Sequence, residues 1–150
     1  MTQEEKQLLL KDLCTRLPYG VVVRHECEDE GKIHYTDGPL VQDNKDGWDI
    51  ITTISCGIVK YGMKPYLRPM SSMTEEEFEN LKEYSELKYD QLDLASFQNG
   101  AYKCLDFYLN EVPSDAVIRV FDWLNKYHFD YRDLIQMGLA IAVTKENNPY

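Results

Sequence analysis

The sequence predicts an α+β fold: an N-terminal helix, a small antiparallel β-sheet over about residues 20–67, and a helical C-terminal half packed on the sheet. Three observations predict it. Two capping boxes, Thr2-x-x-Glu5 and Thr74-x-x-Glu77, each mark a helix start. Between them, runs rich in valine, isoleucine and threonine alternate with turn residues. At Lys64–Phe78 the pattern changes from strand-like to helical. A chain of 150 residues is read as one domain, with 1–67 the helix-and-sheet half and 68–150 the mainly helical half.

After Thr2, the run Leu8, Leu9, Leu10, Leu13 and Leu17 gives an apolar helical face, so a helix is expected over about 3–16. Pro18 and Gly20 end it. Val21–Cys27 and Lys32–Thr36 read as a hairpin. A three-residue loop, Asp29-Glu30-Gly31, would pair Cys27 with Ile33 and His25 with Tyr35. That register puts Val21, Val23, His25, Cys27, Ile33 and Tyr35 on the inner face, and His34 on the outer one. Leu40-Val41-Gln42 offers a short strand. Trp48 to Lys60 is expected as a further strand, because Trp48, Ile50, Ile54, Cys56 and Ile58 alternate.

Pro65 and Pro69 force extended backbone, so Lys64–Pro69 is expected as a connector or a short edge strand. Thr74 then caps a helix over about 75–88, with Met73 and Phe78 at the staple positions. A further helix is marked by Ala101, Cys104, Leu105, Tyr108 and Leu109 and ends before Pro113. Ser114 caps another that carries Val117, Ile118, Phe121, Leu124 and, at its far end, Tyr127. Asp130 is expected to cap a short helix from Tyr131 to Met137, stopped by Gly138. Leu139–Val143 has strand composition and returns to a sheet edge; Thr144–Tyr150 reads as a tail.

Composition narrows the function classes. A chain 43% hydrophobic and 12% aromatic folds. It holds no apolar run of membrane-spanning length, and Met1–Glu5 lacks a signal-peptide pattern, so a cytoplasmic setting is expected. Cys14, Cys27, Cys56 and Cys104 form no CxxC pair and are expected to be free. The formal charge is −10, and residues 71–150 carry 15 acids against 7 bases. Such a field repels phosphate backbones and argues against direct nucleic-acid binding; it suits a basic protein partner.

Three clusters carry candidate chemistry. His25, Cys27 and Cys56 are candidate metal ligands on one expected sheet face, but no short spacing fixes them, so no metal is assigned. Asp43–Gly47 resembles a calcium loop only superficially, since lysine replaces a needed oxygen ligand. No P-loop, dinucleotide glycine pattern, nucleophile elbow or HExxH occurs, and no cofactor is expected. His128, Asp130 and Arg132 form the densest polar cluster, with His128 the candidate general base and Asp130 or Asp133 its orienter. Helix capping explains the same positions without a substrate and is the preferred reading.

The stretch Lys64-Pro-Tyr-Leu-Arg-Pro-Met-Ser-Ser-Met-Thr-Glu-Glu-Glu77 carries a resemblance. So do Phe121–Asn125 with His128–Arg132, Leu134-Ile135 and Gly138–Ala140, and the opening Leu8–Leu13 with Arg16–Gly20. These resemble a family of small uncharacterised proteins of Bacteroides-type gut anaerobes, often on prophage or other mobile elements. The resemblance implies a cytoplasmic, phage-linked setting and no activity, cofactor or catalytic residue.

The function expected is therefore a non-enzymatic interaction module. Glu75, Glu76, Glu77, Glu79, Glu83 and Glu86 form its acidic face toward a basic partner. The alternatives are a small enzyme using His128, Asp130 and Arg132, and a self-associating structural component.

Overall fold

The computed structural model describes residues 1–40, 50–87, 92–108 and 114–150. The fold is α+β. Helices α1 (Gln3–Arg16), α2 (Ile50–Tyr61), α3 (Glu75–Ser85), α4 (Leu94–Gln98) and α5 (Ser114–Lys126) accompany strands β1 (Val22–Asp29), β2 (Lys32–Pro39), β3 (Lys64–Leu67) and β4 (Ile141–Ala142). The strands form one sheet in the order β2-β1-β3-β4. The chain divides into two compact units, Met1–Leu67 with Asp133–Tyr150, and Arg68–Arg132.

In the first unit, α1 begins as its capping box dictates: the Glu5 amide donates to the Thr2 hydroxyl, and the Thr2 amide to the Glu5 carboxylate. Leu9 and Leu13 of α1 pack with Ile54 and Ile58 of α2, Val21 and Val23 beside and in β1, and Leu67 of β3. Asp12 and Arg16 are wholly buried in the same unit, joined by a 2.8 Å bond from Arg16 Nε to Asp12 Oδ2.

Two sequence expectations are corrected here. The segment expected as a strand from Trp48 to Lys60 is helical over Ile50–Tyr61; Trp48 and Asp49 lie outside the described residues. Ile50, Ile54 and Ile58 recur every four residues, which fits a helix face as well as it fits alternation. At twelve residues the segment is long for a strand.

The hairpin register is also different. β1 and β2 pair Cys27 with His34, His25 with Thr36 and Asp29 with Lys32, leaving a two-residue turn, Glu30-Gly31. Both turn residues have positive φ, +48° and +74°, the geometry whose twist matches the flanking strands. Burial could not select the expected register because β2 is exposed along almost its whole length. The shift turns Ile33 and Tyr35 onto the face of Arg24 and Glu26, and His34 onto that of His25 and Cys27.

β3 is a central strand, not an edge. Pro65 is tolerated there by stagger. The Val143 amide donates to Leu67 O, so Leu67 turns its polar groups toward β4. Alternation puts the Pro65 nitrogen on that same side, one step before β4 pairing starts at Tyr66. The expected return of Leu139–Val143 to the sheet edge is β4, parallel to β3. Residues 131–132 and 134–138 form turns where the short helix was expected, with Gly138 left-handed at φ +71°.

Residues 144–150 do more than trail. Asn147 binds the Thr144 amide and the Ala142 carbonyl. The Tyr150 hydroxyl accepts from the Val22 amide at 3.3 Å and donates to Tyr66 O at 2.7 Å. It bridges β1 and β3 one step past their last paired residues. Burial pushes this hydroxyl's pKa up to about 12.

In the second unit, the Thr74 capping box forms as expected and Met73 and Phe78 are both buried. Phe78 and Leu81 of α3, Phe97 of α4 and Val120, Trp123 and Leu124 of α5 share one core with Tyr102, Leu105 and Phe129. Ala101–Tyr108 is a 3₁₀ helix. Of the expected strand Leu40-Val41-Gln42, Leu40 lies just past β2 and donates its amide to Val21 O, while Val41 and Gln42, like the helix stop before Pro113, lie outside the described residues.

Candidate functional site

The Arg68–Arg132 unit builds its most distinctive surface from α3 and α5. Each helix buries one side: Phe78, Leu81 and Ser85 on α3; Ala116, Val117, Val120, Trp123 and Leu124 on α5. Polar ties join the helices beside that core. The Tyr84 hydroxyl donates to Asp122 Oδ2 at 2.8 Å. Arg119 donates to the Ser85 carbonyl, to Asp115 and to Glu86 at 3.0–3.1 Å. The bond to Asp122 raises the Tyr84 hydroxyl's pKa, with slight burial adding to it.

What this face leaves in solvent is unusual. Tyr84 is 43% exposed, Tyr127 40% and Ile118 69%. Ile118 lies one helical turn from Asp122, so apolar surface, tyrosine and carboxylate are contiguous. Glu76, Glu79 and Glu83 form a stripe along the solvent side of α3, at i, i+3 and i+7.

The six expected interaction glutamates do not act alike. Glu77 is held by both Arg68 nitrogens, at 2.7 and 3.0 Å, and by the Thr74 amide at 2.9 Å. Partial burial would raise its carboxyl, but Arg68 and Thr74 outweigh that and hold it below the usual range. Glu79 pairs with Lys82, and Glu86 with Arg119 at the left-handed end of α3. Glu75, Glu76 and Glu83 are exposed, with no ion pair among the described residues.

His128, Asp130 and Arg132 sit where α5 ends. His128 adopts φ +60°, and its amide and that of Phe129 close the helix on Asn125 O and Leu124 O. The His128 carbonyl accepts from the Arg68 amide, and the Asp130 amide donates to Arg68 O, both at 2.8 Å. The His128 side chain is 7% exposed and Asp130 is also buried. The Arg132 guanidinium lies 4.5 Å from the Tyr131 ring centre. The backbone at this corner stitches Arg68 to the end of α5.

The metal candidates do not share one sheet face. Cys56 is on α2, not on a strand, while His25 is half-buried in β1 with its pKa lowered by burial. The side chain of Cys27 lies outside the described residues. Among the described residues no group of three His, Cys, Asp or Glu could hold a metal ion.

One polar network went unnoticed in the sequence. On the sheet face away from α1 and α2, Arg24 binds both Asp37 oxygens, at 2.8 and 3.0 Å, and also donates to the Tyr66 hydroxyl. Tyr66 donates to Asp37 at 2.9 Å. The Arg24 bond holds the Asp37 carboxyl below its usual range, while burial and Asp37 raise Tyr66. A shallow cleft beside it, about 250 Å³, is lined by Arg24, Glu26, Tyr35, Gly62, Lys64 and Ile141. The register error hid this network by turning Asp37 away from Arg24.

In the sequence Ile118 groups with Val117, Phe121 and Leu124, and the structure leaves it 69% exposed. A helical wheel carries the missed signal for Ile118: at 100° per residue it lies about 160° from Val120. No family model, curated protein or solved structure matches the chain. No described helix is long and apolar enough to cross a membrane.

Proposed function

We propose that this chain is a non-enzymatic protein-interaction module whose α3–α5 face receives a basic partner. The observation that carries this reading is the exposed trio Tyr84, Ile118 and Tyr127 beside Asp122, with the Glu76, Glu79 and Glu83 stripe along the solvent side of α3. Tyrosine and isoleucine supply buried contact area; the carboxylates steer a cationic surface and disfavour an acidic one. The net charge of −10 supports a protein partner over a nucleic acid. The setting proposed is cytoplasmic, in keeping with free thiols at Cys14, Cys56 and Cys104. In the phage-linked context suggested by the resemblance, the partner would be a basic host or phage protein.

The test is capture of partners by the tagged chain from lysate of its own host, at low and moderate salt. Two variants run beside it, Glu75→Lys/Glu76→Lys/Glu83→Lys and Tyr84→Ser/Ile118→Ser, each with a melting curve to confirm folding. A basic protein is expected at low salt, weakened by added salt and lost with either variant. Binding that neither variant changes would remove this face from the interaction.

A further inference from the structure

The first unit carries an open sheet edge whose chemistry is more specific than its exposure alone. β2 ends the strand order, and among the described residues nothing pairs with its outer side. The hydrogen-bond phase of the hairpin fixes which groups that edge presents. The Leu40 amide donates to Val21 O at 2.8 Å, one step past the Val22–Pro39 pair. Antiparallel pairs alternate between bonded and non-bonded. Counting in twos from Leu40 makes Gly38, Thr36, His34 and Lys32 the bonded positions. The amides and carbonyls of Ile33, Tyr35 and Asp37 therefore point outward. Pro39, which has no N–H to offer, falls at the next outward position and closes the row.

The side chains agree with the backbone. Ile33 is 56% exposed and Tyr35 61%, and both stand on the same sheet face as Asp37. An edge strand is ordinarily protected by charge, proline or a covering element. Here Lys32 and Pro39 guard the ends; between them one face carries Ile33 and Tyr35 with the paired Asp37, and the other carries His34 and Thr36. The charge around it is mostly acidic, with Lys32 at the strand's end and Lys64 in the cleft beside Tyr35 as the opposing cations. Glu28 pairs with Ile33 and Glu26 with Tyr35, and Asp29 and Glu30 follow at the turn, all four exposed. Asp37 is already neutralised by Arg24.

We propose that β2 is a strand-addition site that takes an extended basic segment of a partner protein as a fifth strand. The partner's main chain bonds the outward groups of Ile33, Tyr35 and Asp37. Its alternate side chains lie against Ile33 and Tyr35, where lysine or arginine stems cover the rings and the charged ends reach Glu26 and Glu28. Arg24 already sets a guanidinium 5.6 Å from the Tyr35 ring centre, which leaves the other face of that ring to the apolar stem of a partner's side chain. This site lies in the other unit from the α3–α5 face and works by backbone pairing, so either can fail without the other.

The test uses the whole chain and a capped octapeptide of alternating lysine and valine, followed by amide NMR with hydrogen exchange. Two control peptides replace lysine by glutamate, or N-methylate alternate residues to block main-chain pairing. Binding of the lysine peptide is expected to slow exchange at Ile33, Tyr35 and Asp37 at least tenfold. Each control peptide, added salt, and the edge variant Ile33→Lys/Tyr35→Lys should weaken it at least tenfold. Several outcomes overturn the proposal: no binding, equal binding of the glutamate or N-methylated peptide, or protection that bypasses β2. So would a dimer in sedimentation with those three amides already protected, because the occupant is then a second copy of the chain.

Discussion

The cores of the two units are built from different materials. Among the described residues, the first unit's hydrophobic cluster holds no aromatic ring: with Met63 it runs from Leu9 and Leu13 through Ile54, Ile58 and Leu67 to Leu139, and the unit's buried Tyr66 lies outside it. The second holds Phe78, Phe97, Tyr102, Trp123, Phe129 and Tyr131. The backbone explains the contrast. Regular strands and two helices of twelve residues or more let branched side chains interdigitate. The second unit includes a five-residue helix and a 3₁₀ stretch, where ridge-into-groove packing fails. Large rings span those irregular spaces, with Phe97 5.3 Å from Phe78 and 5.5 Å from Tyr102, centre to centre.

Arginine is treated differently too. The first unit buries Arg16 with Asp12 completely; the second lays Arg68 over the Phe129 ring at 4.2 Å and pairs it with a part-exposed Glu77. The largest effect is expected at the buried pair. Asp12→Ala removes the carboxylate that Arg16 Nε binds and should cost about 3–5 kcal/mol. The double variant Asp12→Leu/Arg16→Met should recover most of that loss in urea unfolding, because it removes the charge with its partner. If the double variant is no better than the single, the pair's role is geometric and not a matter of charge burial.

Glu77→Gln is expected to cost less, roughly 1–2 kcal/mol, since a quarter-exposed pair is partly screened by solvent. Its pH signature has a definite sign. Glu77 has a folded pKa below its unfolded value of about 4.3, so its contribution is complete above that pH and is lost as pH falls through the folded value. Asp37 and Asp93 act in the same direction. The wild-type minus variant difference in stability should therefore be flat from pH 7 to about 5 and shrink below about 4. A difference that persists unchanged to pH 2 would mean that the cap, not the charge, is what Glu77 supplies.

How much was legible depended on how local the signal was. Helix α1 and the start of α3 were readable because a capping box is contained within four residues. The burial of Asp12 and Arg16 was not, because a charged i, i+4 pair looks the same on a solvated face. The hairpin register failed for a related reason: the inference assumed that β2 has a buried side, and it has none. With the register went the Arg24–Asp37–Tyr66 network, whose members are brought together only by pairing across three strands. At the candidate site the acidity of α3 was legible. The pairing of Tyr84 with Asp122 joins residues 38 apart, and local patterning cannot see it.

The smallest effect sharpens the comparison within the first unit, because the β1–β2 hairpin has no core of its own at its tip. Its turn places Glu30 at φ +48°, where glutamate is less favoured than asparagine. Glu30→Asn should stabilise the chain by about 0.5–1 kcal/mol. It also removes one of four acids beside the open edge. Amide exchange separates the two consequences. Protection should rise along β1 and β2 while the Arg68–Arg132 unit is unchanged, and the lysine–valine peptide should bind slightly more weakly. A rise in protection spread evenly over both units would instead mean that the hairpin and the aromatic core unfold as one cooperative body.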